Sequence, residues 1–175
     1  EEEFAWIEDH AVPTIGSCAM LGTANTMCCL AEVMGISLPG SAAIPAVYSE
    51  RQRIAFESGV AIMNLVAQNI CVKDIITKDA ILDAVKVNSA IGGSTNAVLH
   101  LLAIAYEAGI NLNLFEFGKN SMSVPHLVPM IPAGQYTLLD FYEAGGIPAM
   151  MKELSSLLEL RRITCTGKSS KENIE

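Results

Sequence analysis

At 175 residues, 51% hydrophobic and only 17% charged, the chain is long enough for one domain with a sizeable core and too apolar to stay disordered. Its net charge of −8, with 11 Lys and Arg scattered rather than clustered, would repel a phosphate backbone and argues against nucleic acid as a partner. No apolar run reaches the roughly 18 residues of a membrane span, and the five cysteines, odd in number and without a C-x-x-C, fit neither a secreted disulfide framework nor zinc or ferredoxin spacing.

Those exclusions point to a soluble protein of a reducing compartment, expected to be cytoplasmic, whose apolar surplus is absorbed by burial within the fold or against a partner. The chain opens Glu1-Glu2-Glu3-Phe4, with no initiator methionine or signal peptide, and so carries no targeting information. Glu1 to His10 reads as the end of a helix, broken by Pro13. A tight glycine-flanked turn from Gly16 carries Cys18, and a small-residue helix follows from Thr23 to a stop at Gly35. Residues 36–46, with Pro39-Gly40 and many small side chains, read as a closely packed loop. Ser49 and Gln52 have capping-box spacing, predicting a long helix from Glu50 to Asn69 whose Ile54, Val60, Ile62, Met63, Leu65 and Val66 belong to the core.

Thr77 caps a helix over 78–87 with Ile81, Leu82 and Val85 on its buried face. A second glycine turn, Gly92-Gly93-Ser94-Thr95-Asn96, opens a helix over 97–108 closed by Gly109; this helix is apolar all round except for His100 and is expected to be the most buried element. Asn113 caps one or two further helical turns. His126 to Met130 suggests a short strand, although Pro129 does not suit a central position. Two short helices, 137–144 and 148–158, are split by Gly145-Gly146, and 161–167 reads as a strand and turn before a polar tail. The fold class expected is α/β, a helix-rich layered domain with a small, mostly parallel sheet, incomplete at both ends.

Two glycine turns that each open a helix are the features able to carry chemistry. Free backbone N–H groups at a helix start, joined in the second turn by Ser94, Thr95 and Asn96, suit a small oxygen-rich anion; the alternative is that Ser94 or Thr95 is an ordinary N-cap. Cys18, ahead of a helix N-terminus, faces the positive end of the dipole, which favours thiolate and makes it a candidate metal ligand or nucleophile; the alternative is a small buried residue in a turn. His100 lies one helical turn beyond Asn96 and could reach the same cavity, or be a hydrogen-bonded core histidine. Core packing suffices for Cys28, Cys29, Cys71 and Cys165.

Taken together, Gly16-Ser17-Cys18, Gly22-Thr23-Ala24-Asn25-Thr26-Met27, Ser37-Leu38-Pro39-Gly40-Ser41, Ile91-Gly92-Gly93-Ser94-Thr95-Asn96-Ala97-Val98-Leu99-His100-Leu101, Gly134-Gln135-Tyr136, Ala144-Gly145-Gly146-Ile147-Pro148-Ala149 and Thr166-Gly167-Lys168 resemble the dihydroxy-acid and phosphogluconate dehydratase family along essentially the whole chain. The resemblance implies a hydro-lyase that turns a 2,3-dihydroxy acid into a 2-keto acid with an iron–sulfur cluster, [2Fe–2S] or [4Fe–4S], and Mg2+. It implies that Cys18 matches the last of three cluster cysteines and that Ser94, Thr95 and Asn96 lie near the substrate. The other two cysteines, the magnesium ligands and the catalytic serine fall outside this sequence, so residues 1–175 correspond to the latter part of the N-terminal α/β domain, without the C-terminal domain. The full-length enzyme would be a homodimer or tetramer.

Some motifs are more similar to the sugar-acid dehydratases (Asn88-Ser89-Ala90-Ile91, and 44–51), others to the dihydroxy-acid enzyme of branched-chain amino-acid synthesis (Val98-Leu99-His100-Leu101), which is preferred. A reading of another class is a non-catalytic binding module that keeps the scaffold. Three expectations follow: burial of the 97–108 helix, proximity of the Gly92 turn to Cys18, and no activity or stable cluster in the 175-residue chain alone.

Overall fold

A computed structural model describes residues 1–11 and 15–175. The break expected at Pro13 lies outside the described residues. Among the described residues ten helices follow one another: α1 (Glu2–His10), α2 (Thr23–Val33), α3 (Ser49–Gln68), α4 (Val72–Ile75), α5 (Lys78–Ala90), α6 (Asn96–Glu107), α7 (Leu114–Ser121), α8 (Leu138–Glu143), α9 (Gly146–Glu153) and α10 (Ser170–Ile174). Helix-rich architecture is therefore as expected. The small parallel sheet is not: among the described residues the pairing comes down to two isolated bridges, parallel at Met130 and Tyr136 and antiparallel at Ile163 and Ser169. Pro129 removes a donor that a strand at 126–130 would need, and Pro125 and Pro132 bound the segment on either side. The amides of Leu127 and Val128 both turn instead to the carbonyl of Ala90.

Local capping signals mark several boundaries. Thr77 accepts from the amide of Ala80 at the start of α5, Asn113 from that of Glu116 at α7, and Thr137 from that of Asp140 at α8. Gly35 and Gly109 sit just past α2 and α6 with φ of +83° and +71°. The expected box at Ser49 is absent, because Ser49 is already helical and its predecessor Tyr48 makes no side-chain cap. The short helix α4 was not foreseen, α9 begins and ends earlier than 148–158, and the polar tail is helix α10, capped by Ser169.

The core lies around α5, which packs on α2, α6 and α7. Its Ala80, Ile81, Ala84, Val85 and Val87 are fully buried in one cluster with Leu30 and Val33 of α2, Met34 just past its end, and Leu101 of α6. Thus α5, rather than α6, is the most buried helix. Only Ala97, Leu101 and Ala105 of α6 are buried, while Leu99 is 69% and Tyr106 81% exposed. The 20-residue α3 buries Leu65 alone, so the core role expected for Val60, Ile62, Met63 and Val66 is not met within this chain. An apolar face shows that a helix can be covered; the neighbours decide whether it is.

Two buried carboxylates tie loops to this core. Glu32 of α2 accepts from the amides of Gly40 (2.6 Å) and Ala42 (2.8 Å), fixing the turn between α2 and α3. Burial pushes its pKa up to about 7, against the pull of those two donors. Asp83 of α5 accepts from Nε (3.1 Å) and Nη2 (3.0 Å) of Arg162, whose Nη2 also reaches the carbonyl of Val33. That ion pair, with both side chains almost wholly buried, clamps the 159–170 segment across α5 and the end of α2.

Candidate functional site

The start of α2 organises the site. Asn25, buried in its first turn, donates from Nδ2 to the carbonyls of Cys18 (2.7 Å) and Met20 (2.8 Å), and its Oδ1 accepts from the hydroxyl of Ser17 (2.6 Å). One amide side chain thus uses both ends to set the path of the turn that carries Cys18. Gly16 in that turn has φ +95°, and a Cβ there would overlap Ala46. Cys18 itself is exposed, its Sγ 4.0 Å from the carbonyl of Met20. Within this chain it is therefore not buried in the turn.

Two threonines of the same helical turn hold the second glycine turn. Thr26 Oγ1 accepts from the amide of Ser94 (3.0 Å), and Thr23 Oγ1 accepts from Nδ2 of Asn96 (2.8 Å) and pairs with the hydroxyl of Ser94 (3.1 Å). Ser94 Oγ also accepts from the amide of Asn96 (3.2 Å), whereas Thr95, the formal N-cap of α6, makes no cap with its side chain. Ser94 therefore does the capping, and Thr95 and Asn96 remain exposed at the helix start. Gly93 is tightly backed: a Cβ there would overlap Asn88 Oδ1 and stand 2.9 Å from Thr26 Cγ2.

A third segment closes the same end of the molecule. The amide of Leu21 donates to the carbonyl of Ile131 and that of Leu138 to Ala19, both at 2.8 Å, so residues 126–138 bracket the Cys18 turn. The same segment brings His126 beside Gly92, where a Cβ would lie 2.8 Å from its Nε2. The structure thus ties Cys18, Ser94 and Asn96 to one helix start. His100 is exposed within this chain.

Sequence reasoning gave no role to Thr23, Asn25, Thr26, Asn88 or His126. The small polar residues facing the turn within Thr23-Ala24-Asn25-Thr26 were the available signal for the first three. Asn88 Oδ1 is buried without a hydrogen-bond partner among the described residues, and the motif Asn88-Ser89-Ala90-Ile91 bore on the substrate rather than on any role for this side chain.

As a ligand set the chain is partial. Cys29 and Cys165 are buried, and desolvation pushes both thiols up, so neither is a ready thiolate. Cys28 and Cys71 are exposed on other surfaces, Cys71 ahead of α4 with its amide bonded to Asp74. Among the described residues no three His, Cys, Asp or Glu side chains gather closely enough to hold a metal ion. Cys18 is exposed and held on a turn that Asn25 fixes.

Comparison with known proteins gives a consistent frame. A family model described as dihydroxy-acid/6-phosphogluconate dehydratase, N-terminal, matches residues 1–173. Over the whole chain it is 51% identical to a dihydroxy-acid dehydratase of Caldanaerobacter subterraneus subsp. tengcongensis, of which it covers 32%. It is also 51% identical to one of Halothermothrix orenii, over 99% of the chain and 32% of that protein. With one of Sulfurisphaera tokodaii the identity is 48%, over 99% of the chain and 31% of that protein. The chain spans about a third of the length of these curated relatives.

Proposed function

The chain belongs to the dihydroxy-acid/6-phosphogluconate dehydratase family, and from that premise we propose that it forms the latter part of the N-terminal domain of a dihydroxy-acid dehydratase acting in branched-chain amino-acid synthesis. The reaction removes water from a 2,3-dihydroxy acid: a base takes the C2 proton, the C3–O bond breaks and the departing hydroxide takes up a proton to leave as water, and the enol gains a proton at C3 and gives up that of its 2-hydroxyl to become the 2-keto acid. An iron–sulfur cluster held in part by Cys18 would supply Lewis acidity for the departing 3-hydroxyl, with Mg2+ held by residues outside this sequence. What supports the reading is that Cys18 and the Ser94 to Asn96 turn are fastened to the same first turn of α2.

In this reading each of the chain's own groups has a defined task. Asn25 fixes the turn that presents the Cys18 thiol. Thr23 and Thr26 hold the start of α6 by taking up the amide of Ser94 and the Nδ2 of Asn96, which leaves the amide and hydroxyl of Thr95 to meet the substrate's carboxylate or hydroxyl oxygens. Ser94 positions Asn96 through its own cap. The family resemblance puts the base that takes the C2 proton outside residues 1–175, so on this reading the 175-residue chain alone does not turn over.

The test is anaerobic cluster reconstitution of the full-length protein carrying this sequence, followed by keto-acid assay on branched-chain dihydroxy acids and on sugar acids such as gluconate. The expected result is turnover of the branched-chain substrates and, for Cys18→Ser, loss of the cluster's visible absorption together with activity. A Cys18→Ser protein that kept both would remove Cys18 from the site. Preference for a sugar acid would reassign the substrate, and turnover by residues 1–175 alone would overturn the proposal.

A further inference from the structure

The two glycines that open the second turn each admit one side chain. A Cβ on Gly92 would lie 2.8 Å from His126 Nε2, and one on Gly93 would lie 2.2 Å from Asn88 Oδ1, 3.1 Å from its Cγ and 2.9 Å from Thr26 Cγ2. Asn88 comes from the last turn of α5, is 8% exposed, and accepts the amide of Gly93 on its own backbone carbonyl at 2.8 Å. Its backbone and its side chain therefore grip the same residue. Yet Oδ1 is buried with no donor among the described residues. The two turn amides within its neighbourhood are taken, Gly93's by the Asn88 carbonyl and Ser94's by Thr26 Oγ1. What Oδ1 meets is the Cα side of Gly93, where a hydrogen stands in place of a side chain and offers at most a weak C–H···O contact.

A buried acceptor without a donor costs stability, and a hydrocarbon side chain of the same size would avoid that cost. We propose that Asn88 is a positioning residue for the substrate: its amide oxygen sets the height of Gly93 and, through it, of the Thr95 amide. This rests on the assignment of the Ser94 to Asn96 turn to the substrate. Thr26 fixes the next amide along the turn, so Gly93 and Ser94 are supported side by side, one by contact and one by a hydrogen bond. A carbonyl oxygen approaches a Cα more closely than a methyl group does, by roughly a few tenths of an ångström. No apolar side chain of equal size therefore fits without lifting the turn, and a smaller one leaves it unsupported. The negative end of the amide also lies near the positive start of α6, which offsets part of the lost hydrogen bond.

Two substitutions in the full-length protein separate this role from plain support of the fold. Asn88→Leu removes the unpaired oxygen at nearly constant size, so it should raise the midpoint of denaturation while raising KM about 3- to 10-fold, with kcat within about twofold. Asn88→Asp keeps an oxygen in place and should hold KM within about twofold of the parent without adding stability. Asn88→Ala, which empties the space, should raise KM as Asn88→Leu does. Hydrogen exchange by mass spectrometry on peptides spanning 91–99, with and without a branched-chain 2-keto acid, reads binding without turnover. The keto acid should protect these peptides in the parent and in Asn88→Asp, and in Asn88→Leu only at several-fold higher concentration. Protection in a parent that dehydrates no dihydroxy acid would remove the reaction and leave the role of Asn88 standing. Turnover by a parent whose 91–99 peptides are never protected would leave the reaction and overturn the role. So would Asn88→Leu or Asn88→Ala with an unchanged KM, or Asn88→Asp with KM raised as far as in Asn88→Leu, since the oxygen would then set nothing that the substrate feels.

Discussion

The carboxyl of Glu32 gives the fold a pH dependence that can be worked out in advance. It is pushed up to about 7 from an ordinary 4.5, chiefly by burial, and partly pulled back by the amides of Gly40 and Ala42. When the 36–44 loop opens, the carboxyl is solvated and returns to its ordinary value. Between pH 4.5 and 7 the open form therefore sheds the proton that the closed form keeps, and closure weakens as pH rises through that window. At roughly 1.4 kcal/mol per pH unit the loss comes to about 3 kcal/mol, or on the order of 100-fold in the opening equilibrium. Below the window both forms are protonated, and above it both are ionised, so the dependence is flat on either side.

Hydrogen exchange followed by mass spectrometry on peptides spanning 36–44 of the full-length protein, corrected for intrinsic exchange rates, reads this opening. Protection should fall by that order between pH 4.5 and 7 in the parent and show no such fall in Glu32→Gln. The variant should also be less protected near neutral pH, because a glutamine amide offers only one acceptor where two N–H donors point, and an unpaired buried amide costs about 1–3 kcal/mol. Protection that rose through the window would mean that the two donors outweigh burial and that the carboxylate is the closed form, refuting the argument.

Two further substitutions probe other links. Asp83→Ala leaves the Arg162 guanidinium buried without its carboxylate and should destabilise by about 3–5 kcal/mol in denaturant unfolding followed by circular dichroism, with much of the loss recovered in Asp83→Ala/Arg162→Met; a loss below about 1 kcal/mol would show the guanidinium finding water instead. Gly93→Ala places a Cβ on Asn88 and against Thr26, at a cost of about 1–3 kcal/mol, and should raise KM in the full-length enzyme by shifting the Ser94 to Asn96 turn. Asn88→Ala in the same chain should restore much of the affinity, and an unchanged KM in Gly93→Ala would take the turn away from the substrate.

The sequence by itself determined the features whose physics is local. Thr77, Asn113 and Thr137 start their helices because an oxygen on the cap can reach an amide three residues on, whatever surrounds it. Gly35 and Gly109 end theirs because a positive φ is cheap only for glycine. The order of the glycine turns and of Cys18 was enough to recognise the family. Tertiary structure alone decided which apolar faces are covered: α6 is the more apolar helix, yet α5 takes the centre because three helices pack around it, while α3 buries only Leu65. It also decided that a proline-rich segment would bond to Ala90, Ala19 and Leu21 rather than enter a sheet, and so bracket the Cys18 turn. Thr23 and Thr26 became holders of the site only once residues some 70 positions apart were brought together. Spacing along a chain encodes bonds that close within a helical turn; burial and ion pairing depend on which distant segments arrive, and that is fixed only when the whole core packs.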